Sequence, residues 1–176
     1  SRHHISHIQV FQEKDISRFK ELGVVANFQP LWAIRDEYIT EHTYKKLGKK
    51  RSRWLYPIGS VHRSGAKIGF GSDWYVTSVN PLDGIEAAVT RLEPNGLTNI
   101  PLGKNEEIDL ATAIRAYTLN GAFVNFLDHK VGSIEVGKQA DIIVLNNNLF
   151  DIPSAEINET KVLATLFNGI LVYGEL

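Results

Sequence analysis

The stretch Lys67-Ile68-Gly69-Phe70-Gly71-Ser72-Asp73-Trp74 runs from a short apolar segment into an acid and an aromatic. In a parallel α/β barrel, chemistry sits where strands end, so an acid that follows a buried strand and precedes a helix lies in the active-site mouth. Asp73 is on this ground the candidate catalytic carboxylate. The competing reading is a turn, since Gly-Ser-Asp is common there with the acid as a cap or Asx-turn acceptor. Taken alone, that reading is the stronger. Gly69 and Gly71 are expected to let another group approach the backbone closely. They do not form a dinucleotide fingerprint, because Trp74 stands where its last glycine should be.

A second set of chemistry-bearing side chains opens the chain, in His3-His4-Ile5-Ser6-His7-Ile8-Gln9-Val10. Strand alternation puts His3, Ile5 and His7 on one face. Neutral imidazole is the commonest metal ligand in proteins, and His7 is nearest the C-terminal end of the strand, where a barrel would hold a metal. His3 and His4 read as surface residues, and His7 alone is promoted. The third set is basic: Lys45, Lys46, Lys49, Lys50, Arg51 and Arg53 crowd around Leu47-Gly48. Such a cluster can bind phosphates, but a solvated helix end with its lysines near the negative pole of the helix dipole ranks above that. Trp32, Trp54 and Tyr56 flank it, either as core or as walls of a substrate pocket.

Helices and strands must position these groups. Asp15 is expected to cap a helix with Ile16, Phe19 and Leu22 on one face and Gly23 as its stop. Val24 to Pro30 follows as a buried strand, then an insertion from Leu31 to Gly65, then the strand that leads to Asp73. After it, Asn80 is a candidate N-cap with Pro81 at the first helical position, and Leu82, Ile85, Ala88 and Val89 share one face. Asp109 caps a further amphipathic helix with Leu110, Ile114 and Tyr117, pausing at Asn120-Gly121; residues 97 to 108 read as a loop. This alternation argues parallel βα units with right-handed crossovers. From Val131 the period changes to β-branched runs, and Asn168-Gly169 between two apolar segments is a type I′ hairpin signal. The expected division is therefore 1–130 and 131–176.

Composition bounds the rest. A chain of 176 residues with 43% hydrophobic and 22% charged content is an ordinary globular one, and its net charge of −1 supplies no global field toward nucleic acid or anionic membrane. No nucleic-acid partner and no membrane are expected. No cysteine is present, which removes disulfides, thiolate metal sites and cysteine nucleophiles. No methionine is present either, so a segment is expected to have preceded Ser1. No apolar run approaches the ~20 residues of a membrane helix.

Taken together, Arg2 to Gln9, Leu22 to Pro30, Gly71-Ser72-Asp73-Trp74, Ala87 to Arg91, Tyr117 to Ala122 and Val131 to Asp141 resemble the C-terminal part of the amidohydrolase superfamily. The nearest branch is the YtcJ-like one, which includes N-substituted formamide deformylase. The resemblance implies an α/β fold: the last βα units, about strands 6–8, of a TIM-type (β/α)8 barrel, followed by part of a small accessory β-sandwich. It implies a metal-dependent hydrolase that cleaves an amide or other non-peptide C–N bond in a small-molecule substrate through metal-activated water. The cofactor implied is a divalent metal, zinc foremost. The sixth-strand histidine of the family falls on His7 and its eighth-strand aspartate on Asp73, which makes both metal ligands and Asp73 the proton carrier. Trp74 would sit beside the substrate. Arg51, in a segment that matches a short glycine-to-arginine run of the family, is structural or faces the substrate. Two departures are the glutamate that the family has where Ser6 stands and the arginine it often has where His4 stands; both bear on support of the His7 site.

The first-strand His-x-His pair of the family, its fourth-strand bridging residue and its fifth-strand histidine have no counterparts here. The isolated chain is therefore expected to be inactive, to hold no metal tightly and to self-associate through exposed barrel edges. A cytoplasmic location is the accompanying expectation. The alternative from another class is a non-catalytic domain that serves assembly.

Overall fold

The computed structural model describes residues 1–96 and 99–175. Three short parallel strands, β1 (His4–Ser6), β2 (Val25–Phe28) and β3 (Ile68–Phe70), form one sheet in sequence order. Ser6, Asn27 and Gly69 stand level across it. Ala26, Phe28, Ile68 and Phe70 enter the core against Ile85, Ala88, Ala113 and Ala116 of the helices, the burial expected of a parallel sheet backed by helices.

The helices are α1 (Ile16–Glu21), α2 (Tyr44–Ser52), α3 (Ile58–Arg63), α4 (Pro81–Thr90), α5 (Leu110–Tyr117) and α6 (Leu119–Val124). Two expected caps are in place: Asn80 accepts from the Leu82 N–H at 3.1 Å, and Asp109 accepts from the Thr112 N–H at 2.8 Å. Asp15 does not cap α1, because its carboxylate is taken by Arg18 at 2.6 Å, and Leu22 is 65% exposed. The expected strand from His3 to Val10 is cut to three residues, since His7 (φ 72°) and Ile8 (φ 45°) turn the backbone out of extended form. The insertion carries a π-helical turn, Tyr38–Thr43, that runs into α2, and α2 is kinked where Gly48 takes φ 68° and ψ 165°. Gly69 and Gly71 do not serve close approach: a Cβ on Gly69 would make ordinary contacts at 3.7 and 3.8 Å, and one on Gly71 would meet nothing within 4 Å. The second helical break falls at Thr118, not at Asn120-Gly121.

At the N-terminal end of the sheet, Arg2 donates to the Phe123 carbonyl at 2.7 Å and to Asp128, and its guanidinium lies 4.0 Å from the Phe123 ring centroid. That pairing holds the Asp128 carboxyl below its usual range. Lys67 and Gly71 bond to β2, so Ile68 faces the free edge of β3, and Asn120 donates to its carbonyl there at 2.8 Å. A side chain thus covers part of an otherwise open edge.

The remaining strands, β4 (Ile142–Leu145), β5 (Val162–Phe167) and β6 (Ile170–Gly174), form an antiparallel sheet in that order. Asn168 (φ 50°) and Gly169 (φ 78°) both take positive φ, as a type I′ turn requires. The turn Ser154–Glu159 before β5 packs on α4 and places Ile157, fully buried, in the same core. Among the described residues no helix is long and apolar enough to cross a membrane.

Candidate active site

The C-terminal ends of β1 and β3 release the chain in the same unusual way. His7 donates its backbone N–H to Asn27 at 3.0 Å, then takes φ 72°. Gly71 donates to Phe28 at 3.2 Å, and two residues later Asp73 takes φ 55°. Left-handed backbone is uncommon for residues other than glycine and gathers at functional sites. Both side chains are exposed. The His7 ring stacks on Trp32, with centroids 4.8 Å apart and planes within 7°. The Asp73 carboxylate makes no hydrogen bond or ion pair among the described residues, while its backbone carbonyl accepts from Val76 at 2.8 Å. Ser72 shapes the loop, its hydroxyl accepting from the Trp74 N–H at 3.1 Å and its carbonyl accepting from the Thr77 hydroxyl.

Behind His7 a polar row crosses the sheet. Asn27 Nδ2 lies 3.3 Å from His4 Nδ1 and donates to Ser6 Oγ at 3.3 Å. Sequence reasoning passed over Asn27, although a lone amide within Val-Ala-Asn-Phe was the available signal. Ser6, where the family has glutamate, is thus joined to β2 through a neutral hydrogen bond.

Trp74 is 68% exposed and meets Tyr75 edge-on at 6.3 Å. Arg51 turns back on its own helix, donating to the carbonyls of Leu47 at 3.1 Å and Lys46 at 3.3 Å. It borders an open groove with Trp54 and Glu13, a different space from the one beside the strand ends.

That space is a cavity of about 360 Å3 walled by Trp32, Asp36, Tyr38, Tyr56, Val76 and Thr77 among others. Trp32 joins it to His7, and Val76 and Thr77 belong to the loop that carries Asp73. Burial, with the charge of Asp36 nearby, pushes the Tyr56 hydroxyl up to about 12. Trp32 and Tyr56 are thus the flanking aromatics that wall this cavity, while Trp54 lines the separate groove beside Arg51.

A metal at these strand ends would find the right donor types in His7 and Asp73, both exposed and neither spent on a hydrogen bond. The number falls short. Among the described residues no three histidine, aspartate or glutamate side chains come together as a metal group, and catalytic sites normally use at least three protein ligands.

Comparison with known proteins shows which family the chain belongs to. The pattern of the amidohydrolase family matches residues 1–173, and the chain belongs to that family. It is 35% identical to Protein LONG AFTER FAR-RED 3 of Arabidopsis thaliana over 174 residues, which is 98% of this chain and 29% of that protein. It is 31% identical to N-substituted formamide deformylase of Arthrobacter pascens over 119 residues, 68% of this chain and 21% of that enzyme. A solved metal-dependent hydrolase from Pyrococcus horikoshii superposes with a TM-score of 0.72 at 26% identity, covering 86% of this chain and 30% of that one. The chain thus spans less than a third of the length of each of these relatives. Its structural neighbours are TIM-barrel enzymes of the amidohydrolase type.

Proposed function

We propose that this chain is the C-terminal part of a metal-dependent hydrolase that cleaves an amide or other non-peptide C–N bond in a small-molecule substrate. On this reading β1, β2 and β3 are the sixth to eighth barrel strands, residues 1–130 belong to the barrel, and 131–176 belong to an accessory β-sandwich. The observation that carries it is the placement of His7 and Asp73, which leave β1 and β3 at the same end of the sheet with left-handed backbones and unspent side chains. The deformylase relative supports the bond class, and the solved metal-dependent hydrolase supports the cofactor.

His7 Nδ1 or Nε2 and an Asp73 oxygen are the atoms this chain offers to a divalent ion, zinc foremost; other ligands come from elsewhere in the complete protein. When bound, the ion supplies an acidified water and polarises the scissile carbonyl. Asp73 does the proton work. Its free carboxylate accepts a proton from the attacking water and returns it to the leaving nitrogen, which would otherwise depart as an unstable amide anion. The stacked Trp32 ring fixes the plane of His7, and Trp74 flanks the open side.

The test is Asp73→Asn in a polypeptide that joins this chain to the rest of the barrel. The amide keeps the shape but takes no proton, so kcat should fall by roughly 10²–10⁴ with metal content near that of the unsubstituted protein. Turnover within a few-fold of the unsubstituted enzyme removes Asp73 as proton carrier.

A further inference from the structure

The cavity beside the strand ends has a chemistry that the hydrolytic reading does not use. Asp36 lines it half-buried, with one carboxylate oxygen accepting from the Ile39 N–H at 2.7 Å. It makes no ion pair among the described residues, although Arg35 is its neighbour in sequence and Arg91 lies close to Tyr56. Arg91 is fully buried and forms no ion pair with Asp36; it donates to the carbonyls of Leu102 at 2.9 Å and Leu55 at 3.4 Å, and its Nη1 has no hydrogen-bond partner. Three aromatic side chains, Trp32, Tyr38 and Tyr56, line the same cavity. A carboxylate without an ion pair attracts a cation by charge, and aromatic walls add the attraction of their ring quadrupoles. An anionic group would meet repulsion from the same carboxylate.

We propose that this cavity is a subsite for a cationic, ammonium-bearing group. Resting on the proposed hydrolytic reading, it names the substrate class: amides with a protonated amine in the part that lies over Trp32. The wall contributed by Val76 and Thr77 belongs to the Asp73 loop, so a group seated against Asp36 brings its amide to the strand ends. Asp36 and Tyr38 select the substrate and move no proton.

The probes are benzylammonium, benzyl alcohol and phenylacetate, which share a ring and differ in charge. Their binding to the isotope-labelled chain is followed at the Trp32 indole N–H resonance, assigned with Trp32→Phe. Benzylammonium should bind saturably and at least about fivefold more tightly than benzyl alcohol, with phenylacetate weakest. Asp36→Asn, which keeps an acceptor for the Ile39 N–H, should bring benzylammonium to the level of the alcohol. Tyr38 is 63% exposed, so Tyr38→Leu is a second variant that does not threaten the fold; it should weaken the cation and leave the alcohol unchanged. Equal binding of the three probes, preference for phenylacetate, no saturable response, or a preference that survives Asp36→Asn would overturn the subsite. No hydrolysis is read in this experiment. Failure of the complete protein to cleave any amide would remove the hydrolase reading while an intact cation preference stands.

Discussion

Replacing Gly84 by alanine sets helix propensity against packing. Gly84 lies inside α4, where glycine is less favourable than alanine by about 1 kcal/mol. Propensity alone therefore expects Gly84→Ala to stabilise. The structure expects the reverse, because a Cβ at this position would lie 1.9 Å from Tyr117 Oη and 2.8 Å from its Cζ. Tyr117 has little room to withdraw: its ring packs edge-on against Phe70 at 5.4 Å, and Phe70 is only 7% exposed. Overpacking of this kind costs ~1–3 kcal/mol, so the net loss should be about 0–2 kcal/mol after the propensity gain. Tyr117→Phe removes the nearer colliding atom. On that background the alanine substitution should cost roughly 1 kcal/mol less, a coupling typical of residues in contact. Urea unfolding of the four proteins measures both quantities. A Gly84→Ala protein more stable than its parent, or strictly additive substitutions, would refute the packing argument.

Four further outcomes are expected. Glu86 is buried in α4, and burial raises its carboxyl above the ordinary 4.5 although it accepts from the Asn158 N–H at 2.9 Å. A raised acid binds its proton more tightly folded than unfolded, so its contribution is full below the ordinary value and is lost as pH rises through the folded one. The melting-temperature difference between parent and Glu86→Gln should therefore grow with pH in favour of the variant, and a pH-independent difference would refute this. The isolated chain should retain no stoichiometric zinc after dialysis, since it offers two exposed donors; metal analysis showing a tightly held equivalent would mean that other side chains complete the site. Through exposed Ile5, Val10 and Leu22, which line one open apolar groove that includes β1, the isolated chain should self-associate, and light scattering of a monomer across dilutions would sink that expectation. Asp73→Asn, tested as above in the joined polypeptide, should lower kcat by roughly 10²–10⁴ with metal content near that of the unsubstituted protein.

What the sequence made legible is what short-range chemistry decides. Asn80 before Pro81, Asp109 three residues before a backbone donor, and Asn168-Gly169 between apolar runs each satisfy their own backbone, and each stands where expected. The exit of β3 into Asp73 was readable for the same reason. What was hidden depends on distant partners. Asp15 looked like a cap until Arg18 took its carboxylate, and the strand through His7 looked continuous because alternation cannot see a left-handed turn. Asp36 was passed over although Trp32 and Tyr38 stand within four residues of it, because the third ring of the cavity, Tyr56, comes from twenty residues further on. Asn120 read as a pause in the helical pattern and Arg91 as the end of a segment resembling the family; both are buried, with partners in distant carbonyls of β3 and of the segments at Leu55 and Leu102.

The position of Asp73 is set well away from the mouth. Its loop spans from Phe70, braced by Tyr117 of α5, to Asn80, which caps α4 and also donates to Asp83 at 2.9 Å. Helix α4 is in turn fixed at its far end by Arg91, whose guanidinium binds carbonyls of two other segments, and along its flank by Glu86 on the turn that leads into β5. None of these residues lines the cavity, yet each restrains the register of α4 and so the loop anchored to its first turn. A carboxylate that must meet a reacting nitrogen within about 3 Å tolerates little drift. Substitutions at Glu86 or Arg91 should therefore act on kcat of the complete protein through loop position, with the side-chain chemistry of Asp73 unchanged. Such variants separate from Asp73→Asn by the form of their loss, since a displaced carboxylate still takes a proton and leaves the pH dependence of the residual activity in place.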